Sequence, residues 1–113
     1  MPLNASALMQ VSLLVSDLDS AADFYRALGL SFAFVEESGR TRYAECVADS
    51  VAIILYPRGA ENATRIALGF RVDDIDDVSA ALTHLSVRFE QPLPHFLRTT
   101  DPDGNRVHVS QPR

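Results

Sequence analysis

The chain has 113 residues, 47% hydrophobic and 22% charged, the size and balance of one ordinary globular domain, which excludes a disordered or fibrous protein. Its net charge is −5 and every basic residue is Arg, none Lys, so the basic face that nucleic acid requires is missing. The longest apolar run, residues 51–56, is far shorter than the ~20 residues that span a bilayer, and residues 1–8 lack the basic start of a signal peptide, so no membrane partner is expected and the cytoplasm is the expected location.

In chain order, Val11, Leu13 and Val15 alternate with Ser12, Leu14 and Ser16, the pattern of a largely buried strand that stops at Asp17. Asp17 reads as a helix cap. Leu18, Ala21, Ala22, Tyr25 and Leu28 then recur at intervals of three and four, giving a helix with one inward stripe and Gly29 as its stop. Three strand-like runs follow at 30–36, 41–47 and 50–56, separated by hairpin turns at 37–40 and 48–49, with connections too short for parallel crossovers between them. Cys46 is solitary. It can form neither an intramolecular disulfide nor a Cys-rich zinc site, and it reads as a small, half-buried hydrophobe.

The second half repeats the first. A shift of 57 lays Val72-Asp73-Asp74-Ile75 on Val15-Ser16-Asp17-Leu18. A strand at 65–72, a helix at 74–85 capped by its acidic run, a short strand at 87–90 and strands at 95–100 and 106–110 follow, the last two joined by the turn Asp101-Pro102-Asp103-Gly104-Asn105. The expected fold is therefore α+β: two βαβββ modules, about 8–57 and 64–111 with a linker at 58–63, forming a curved, cup-shaped mixed sheet in a single domain. Helices would cover one face and leave the other free to bind.

Two stretches carry a family resemblance. Val15-Ser16-Asp17-Leu18 with Phe24-Tyr25-Arg26-Ala27-Leu28-Gly29-Leu30, and the turn 101–105 before the last strand, resemble the vicinal oxygen chelate superfamily, the glyoxalase, bleomycin resistance and extradiol dioxygenase group. The resemblance covers about residues 8–111. It implies a cup, commonly a homodimer with pockets between modules, and in metal-using members four inward ligands on four strands. Those four positions fall here on Gln10, Ile54, Ala67 and His108. Ile54 and Ala67 carry no ligand atom, and a divalent ion needs about four protein donors, or three and an open position. No metal cofactor is expected.

His108 lies between Val107 and Val109 and points away from whichever face they bury. It reads either as a histidine hydrogen-bonded on the strand surface or as a donor or acid/base touching a ligand, with metal ligation a smaller alternative. Gln10 is read equally as a structurally satisfied amide or a ligand contact. Tyr43 and Glu45 share one face of the third strand, Ala44 and Cys46 the other. Tyr43 is expected as a pocket-wall aromatic, and Glu45 matters only if it faces the cup. Of His95 and Arg98, at most one looks into the pocket. His84 and the acidic run 73–77 read as helix-end electrostatics.

The ligand-binding set expected is thus Gln10, Tyr43, Glu45, Ile54, Ala67 and His108. The leading reading is a metal-free small-molecule-binding protein that binds or sequesters an antibiotic or another small toxic compound, with the acidic balance favouring a cationic or neutral ligand. The alternative is a metal-dependent lyase, isomerase or dioxygenase of the same superfamily. A domain whose cup merely builds a dimer is the third class.

Overall fold

Both helices begin at an aspartate that meets the same need, the unpaired N–H groups of a first turn. Asp17 Oδ1 accepts from Ser20 N at 3.0 Å, and Asp74 Oδ1 accepts from Asp76 N at 3.0 Å and Asp77 N at 3.4 Å. The computed structural model of the chain describes residues 7–37, 39 and 41–112. In it the strand and helix signals become β1 (Gln10–Val15), α1 (Leu18–Ala27), β2 (Ala33–Glu37), β3 (Thr41–Ala48), β4 (Val51–Pro57), β5 (Ala67–Arg71), α2 (Ile75–His84), β6 (Phe89–Leu93), β7 (Phe96–Thr100) and β8 (Arg106–Ser110).

Two mixed sheets of four strands result, ordered β1-β4-β3-β2 and β5-β8-β7-β6. In each, the first strand pairs in parallel with the last and the hairpins are antiparallel. The architecture is the α+β pair of βαβββ modules expected, with a separate ladder in each module. Gln10 and Ala67 open equivalent strands, paired with Ala52 and Arg106, and Ile54 and His108 hold equivalent positions opposite Ser12 and Gly69. Differences from expectation are small. β6 starts and ends later and is irregular between Glu90 and Leu93, and His95 sits in the turn before β7. Of the turn expected at 37–40, Ser38 and Arg40 lie outside the described residues, as do residues 1–6.

The repeat extends to backbone conformation. Gly29 follows α1 at φ 96°, and its counterpart 57 positions on, Ser86, follows α2 at φ 60°. A residue with a Cβ thus occupies a left-handed position that glycine fills in the first half.

Helix stripe and sheet face bury one continuous core that includes Leu13, Val15, Leu55, Tyr25, Leu82, Leu97, Val107 and Val109. The Tyr25 ring lies 6.2 Å from that of Phe70, joining the modules. The 101–105 turn ties them further through Asp103 Oδ2, which accepts from Ser16 N at 3.1 Å, while within the second module buried Asn105 Oδ1 accepts from Ile66 N at 2.6 Å. Thr64 exchanges hydrogen bonds with the main chain of Leu14, covering the free edge of β1. With extents of 46 × 44 × 23 Å, the chain is a slab about one sheet and one helix layer deep, since packed layers lie ~10 Å apart. The sheet faces away from the helices stay open.

Candidate functional site

Alternation along each strand decides which side chains reach an open face. On the second sheet, Val107 and Val109 are fully buried and Leu97 with them, so Arg106 and His108 on β8 and Arg98 and Thr100 on β7 project to the other side. Cross-strand pairing aligns them: Arg98 lies opposite His108, and Thr100 opposite Arg106. Glu90 on β6 lies opposite Arg98, and Arg88, just before β6, extends the Thr100–Arg106 row. On β5, Ala67 continues one row and Gly69 the other.

Arg88, Glu90, Arg98, Thr100, Arg106 and His108, with Val87, Phe89 and Thr99, line a cavity of about 980 Å³. Its wall combines apolar surface with three guanidinium groups, one carboxylate and one imidazole. Phe96 stands edge-on to the His108 ring at 5.6 Å between centroids. Arg98 is paired with Glu90 at 3.4 Å, an exposed contact. Among the described residues no carboxylate lies within ion-pair distance of Arg88 or Arg106.

The first sheet presents a different face. Glu45 and Val47 are exposed there, Tyr43, Leu14 and Tyr56 half-buried, and Ile54 buried. Ser12, Ile54, Glu45 and Ala33 form one row across it. The Tyr43 and Tyr56 rings lie 5.4 Å apart in the next row. Gln10 is exposed and its Nε2 donates to Ser12 Oγ at 2.8 Å. Tyr43 and Glu45 share a face opposite buried Ala44 and Cys46, as alternation requires. Burial pushes the Cys46 thiol pKa up, away from reactivity.

The six residues expected at the site therefore divide. Gln10, Tyr43, Glu45 and Ile54 lie on the first sheet, and Ala67 and His108 on the second; of the six, only His108 lines the 980 Å³ cavity. Arg98 looks into that cavity and His95 does not line it. Sequence reasoning passed over Arg88, Thr100 and Arg106. Arg106 stands two before His108, so strand period alone places it on the same face; Arg88 and Thr100 join it only through cross-strand register.

The four positions at which the resemblance places metal ligands hold Gln10, Ile54, Ala67 and His108, and the two aliphatic ones offer no lone pair. Among the described residues no group of three or more His, Cys, Asp and Glu side chains is placed to hold a metal ion. The donor set does not fit a divalent metal at these positions.

The comparisons agree with this fold. The sequence pattern described as Glyoxalase/Bleomycin resistance protein/Dioxygenase superfamily matches residues 7–109. Solved structures similar to the chain include an antibiotic binding protein from Streptomyces sp. CB03234, at 24% identity and TM-score 0.74, covering 99% of this chain and 100% of that one. An integron cassette protein from the mobile metagenome of V. cholerae has 22% identity and TM-score 0.77, covering 100% of both chains. A lactoylglutathione lyase from Agrobacterium tumefaciens has 21% identity and TM-score 0.67, covering 96% of each. No curated protein sequence matches the chain.

Proposed function

Because the chain belongs to the glyoxalase/bleomycin resistance protein/dioxygenase superfamily, we propose that it is a small-molecule-binding protein that works without a divalent metal at the four strand positions and binds or sequesters an antibiotic or another small toxic compound. One observation carries the reading. A cavity of about 980 Å³ lies on an open sheet face, within the size range of small-molecule sites, while Ile54 and Ala67 replace ligand atoms at two of the four metal positions. The similarity to an antibiotic binding protein supports it at the level of fold.

In this reading the protein acts as a homodimer. A second copy laid over the open faces brings the first sheet of one protomer, with Gln10, Tyr43, Glu45 and Ile54, toward Ala67 and His108 of the other, closing a cup that a single slab leaves open. His108, anchored against Phe96, supplies a polar contact in a partly apolar wall. We place the protein in the cytoplasm, where the lone thiol of Cys46 is suited to reducing conditions; no helix among the described residues is long and apolar enough to cross a membrane.

The test combines metal analysis with calorimetric titration of an antibiotic panel. Expected are a metal content far below one per chain, a Kd unchanged by chelator, and a loss of about 1–3 kcal/mol in binding for His108→Ala. Stoichiometric metal, with activity abolished by chelator and restored by the ion, would instead establish the metal-dependent lyase, isomerase or dioxygenase reading. Sedimentation giving a monomer mass at all concentrations would remove the dimer.

A further inference from the structure

The charge of the chain and the charge of its cavity have opposite signs. The chain carries −5, yet the cavity wall holds Arg88, Arg98 and Arg106 against one carboxylate, Glu90. The acidic groups sit elsewhere: Asp17 and Asp74 cap the helices, and Asp19 and Asp23 engage Arg42 and Arg26. A ligand meets the local wall, so the preference for cationic ligands suggested by net charge does not carry over to this face.

We propose that the open face of the second sheet binds an organic anion, an apolar or aromatic body bearing one carboxylate, sulfonate or phosphate, held between Arg88 and Arg106 with His108 and Thr100 beside it. This rests on the reading of that face as a small-molecule site. Three observations support it. Arg106 lies directly across the ladder from Thr100, and the continuing register of β6 and β7 puts Arg88 on the other flank of Thr100. Neighbouring strands lie ~4.8 Å apart, so the two Cα atoms are roughly 10 Å apart and both long side chains can converge on one group above Thr100. Neither guanidinium has a carboxylate partner among the described residues, whereas Arg98 has Glu90; two like charges so placed repel until an anion enters between them.

The third observation concerns room. The Arg106 row ends at Ala67 and the His108 row at Gly69, and a Cβ added at Gly69 would meet nothing within 4 Å. Small residues leave the β5 side open for the ligand body, and Phe96, edge-on to His108 on the same face, supplies apolar surface. Guanidinium forks match the planar geometry of a carboxylate or the oxygens of a phosphate, which a lone histidine does not.

The decisive experiment compares two probes of nearly the same shape, anilinonaphthalene sulfonate and the uncharged N-phenyl-naphthylamine, by fluorescence titration of the wild-type protein. The sulfonate is expected to bind about 10-fold more tightly, the usual gain from one charge-assisted contact. Arg88→Gln and Arg106→Gln should each erase most of that preference, weakening the sulfonate probe more than the neutral one, with near-ultraviolet dichroism verifying that both variants are folded. Rising salt should narrow the preference in the wild type. Equal binding of the two probes, or a preference indifferent to both arginines, overturns the anion assignment while leaving the face a small-molecule site. Failure of both probes to bind overturns the two readings together.

Discussion

The Tyr25 hydroxyl, on the helix of the first module, donates a 2.6 Å hydrogen bond to Asp101 Oδ2, in the last turn of the second. Asp101 is buried and accepts also from the main-chain N–H groups of Asp103 and Asn105 and from Asn105 Nδ2. The 101–105 turn, conspicuous in the sequence, is thereby a clamp between modules.

Tyr25→Phe removes the donor and should lower stability by about 1–3 kcal/mol, since it leaves a buried acceptor short of a partner. Burial, and then the bond to Asp101, hold the Tyr25 pKa well above its ordinary value. Its folded pKa is raised, so the stability it contributes is complete below the unfolded value of ~10 and declines above that at about 1.4 kcal/mol per pH unit. Urea midpoints between neutral and strongly alkaline pH should show the wild type falling more steeply than the Phe variant.

Ser86 adopts φ 60° after α2 where glycine serves after α1. Ser86→Gly should relieve left-handed strain and raise stability by roughly 0.5–1 kcal/mol, the gain being reduced by the greater freedom of an unfolded glycine. A lower thermal midpoint for the variant would show that the serine side chain contributes more than its backbone costs.

Cys46 is buried on the helix side of β3 and its pKa is raised by that burial. Thiol-disulfide reagents should therefore label it only at the rate of opening, and fully once denaturant unfolds the chain. Rapid stoichiometric labelling of the native protein would contradict this placement.

Glu90 pairs with Arg98 at the cavity rim, both side chains being largely exposed. Glu90→Gln should release that guanidinium and strengthen binding of the sulfonate probe by about 2–5-fold, the range of an exposed ion pair. Unchanged affinity would place the anion beyond the reach of Arg98.

The fold was legible because its signals are local. A period of two, a period near four, two capping aspartates and a repeat at 57 positions each require only neighbouring residues, and tertiary packing contradicted none of them. The open face of His108 was legible in the same way, from Val107 and Val109. The cavity was less so. That Arg98 stands beside His108, and Arg88 in the row of Arg106, depends on hairpin register and on an irregular β6, which pair residues far apart in the chain. Net charge, an average over every residue, pointed away from the arginines. The division of Tyr43 and Glu45 from His108 follows from the side-by-side sheets, which no periodicity encodes.

β4 and β8 lie inside their sheets although each is the last strand of its module in the chain. During synthesis β1 must therefore wait, one edge unpaired, until β4 has left the ribosome, and β5 waits in turn for β8. The clamp onto Tyr25 comes from residues 101–105, immediately before β8. A nascent chain halted ahead of Asp101 has the strands of its first sheet but neither the residues that lock it to the second module nor the strand that completes the second sheet, so the last stretch of chain, turn and strand together, commits the whole molecule.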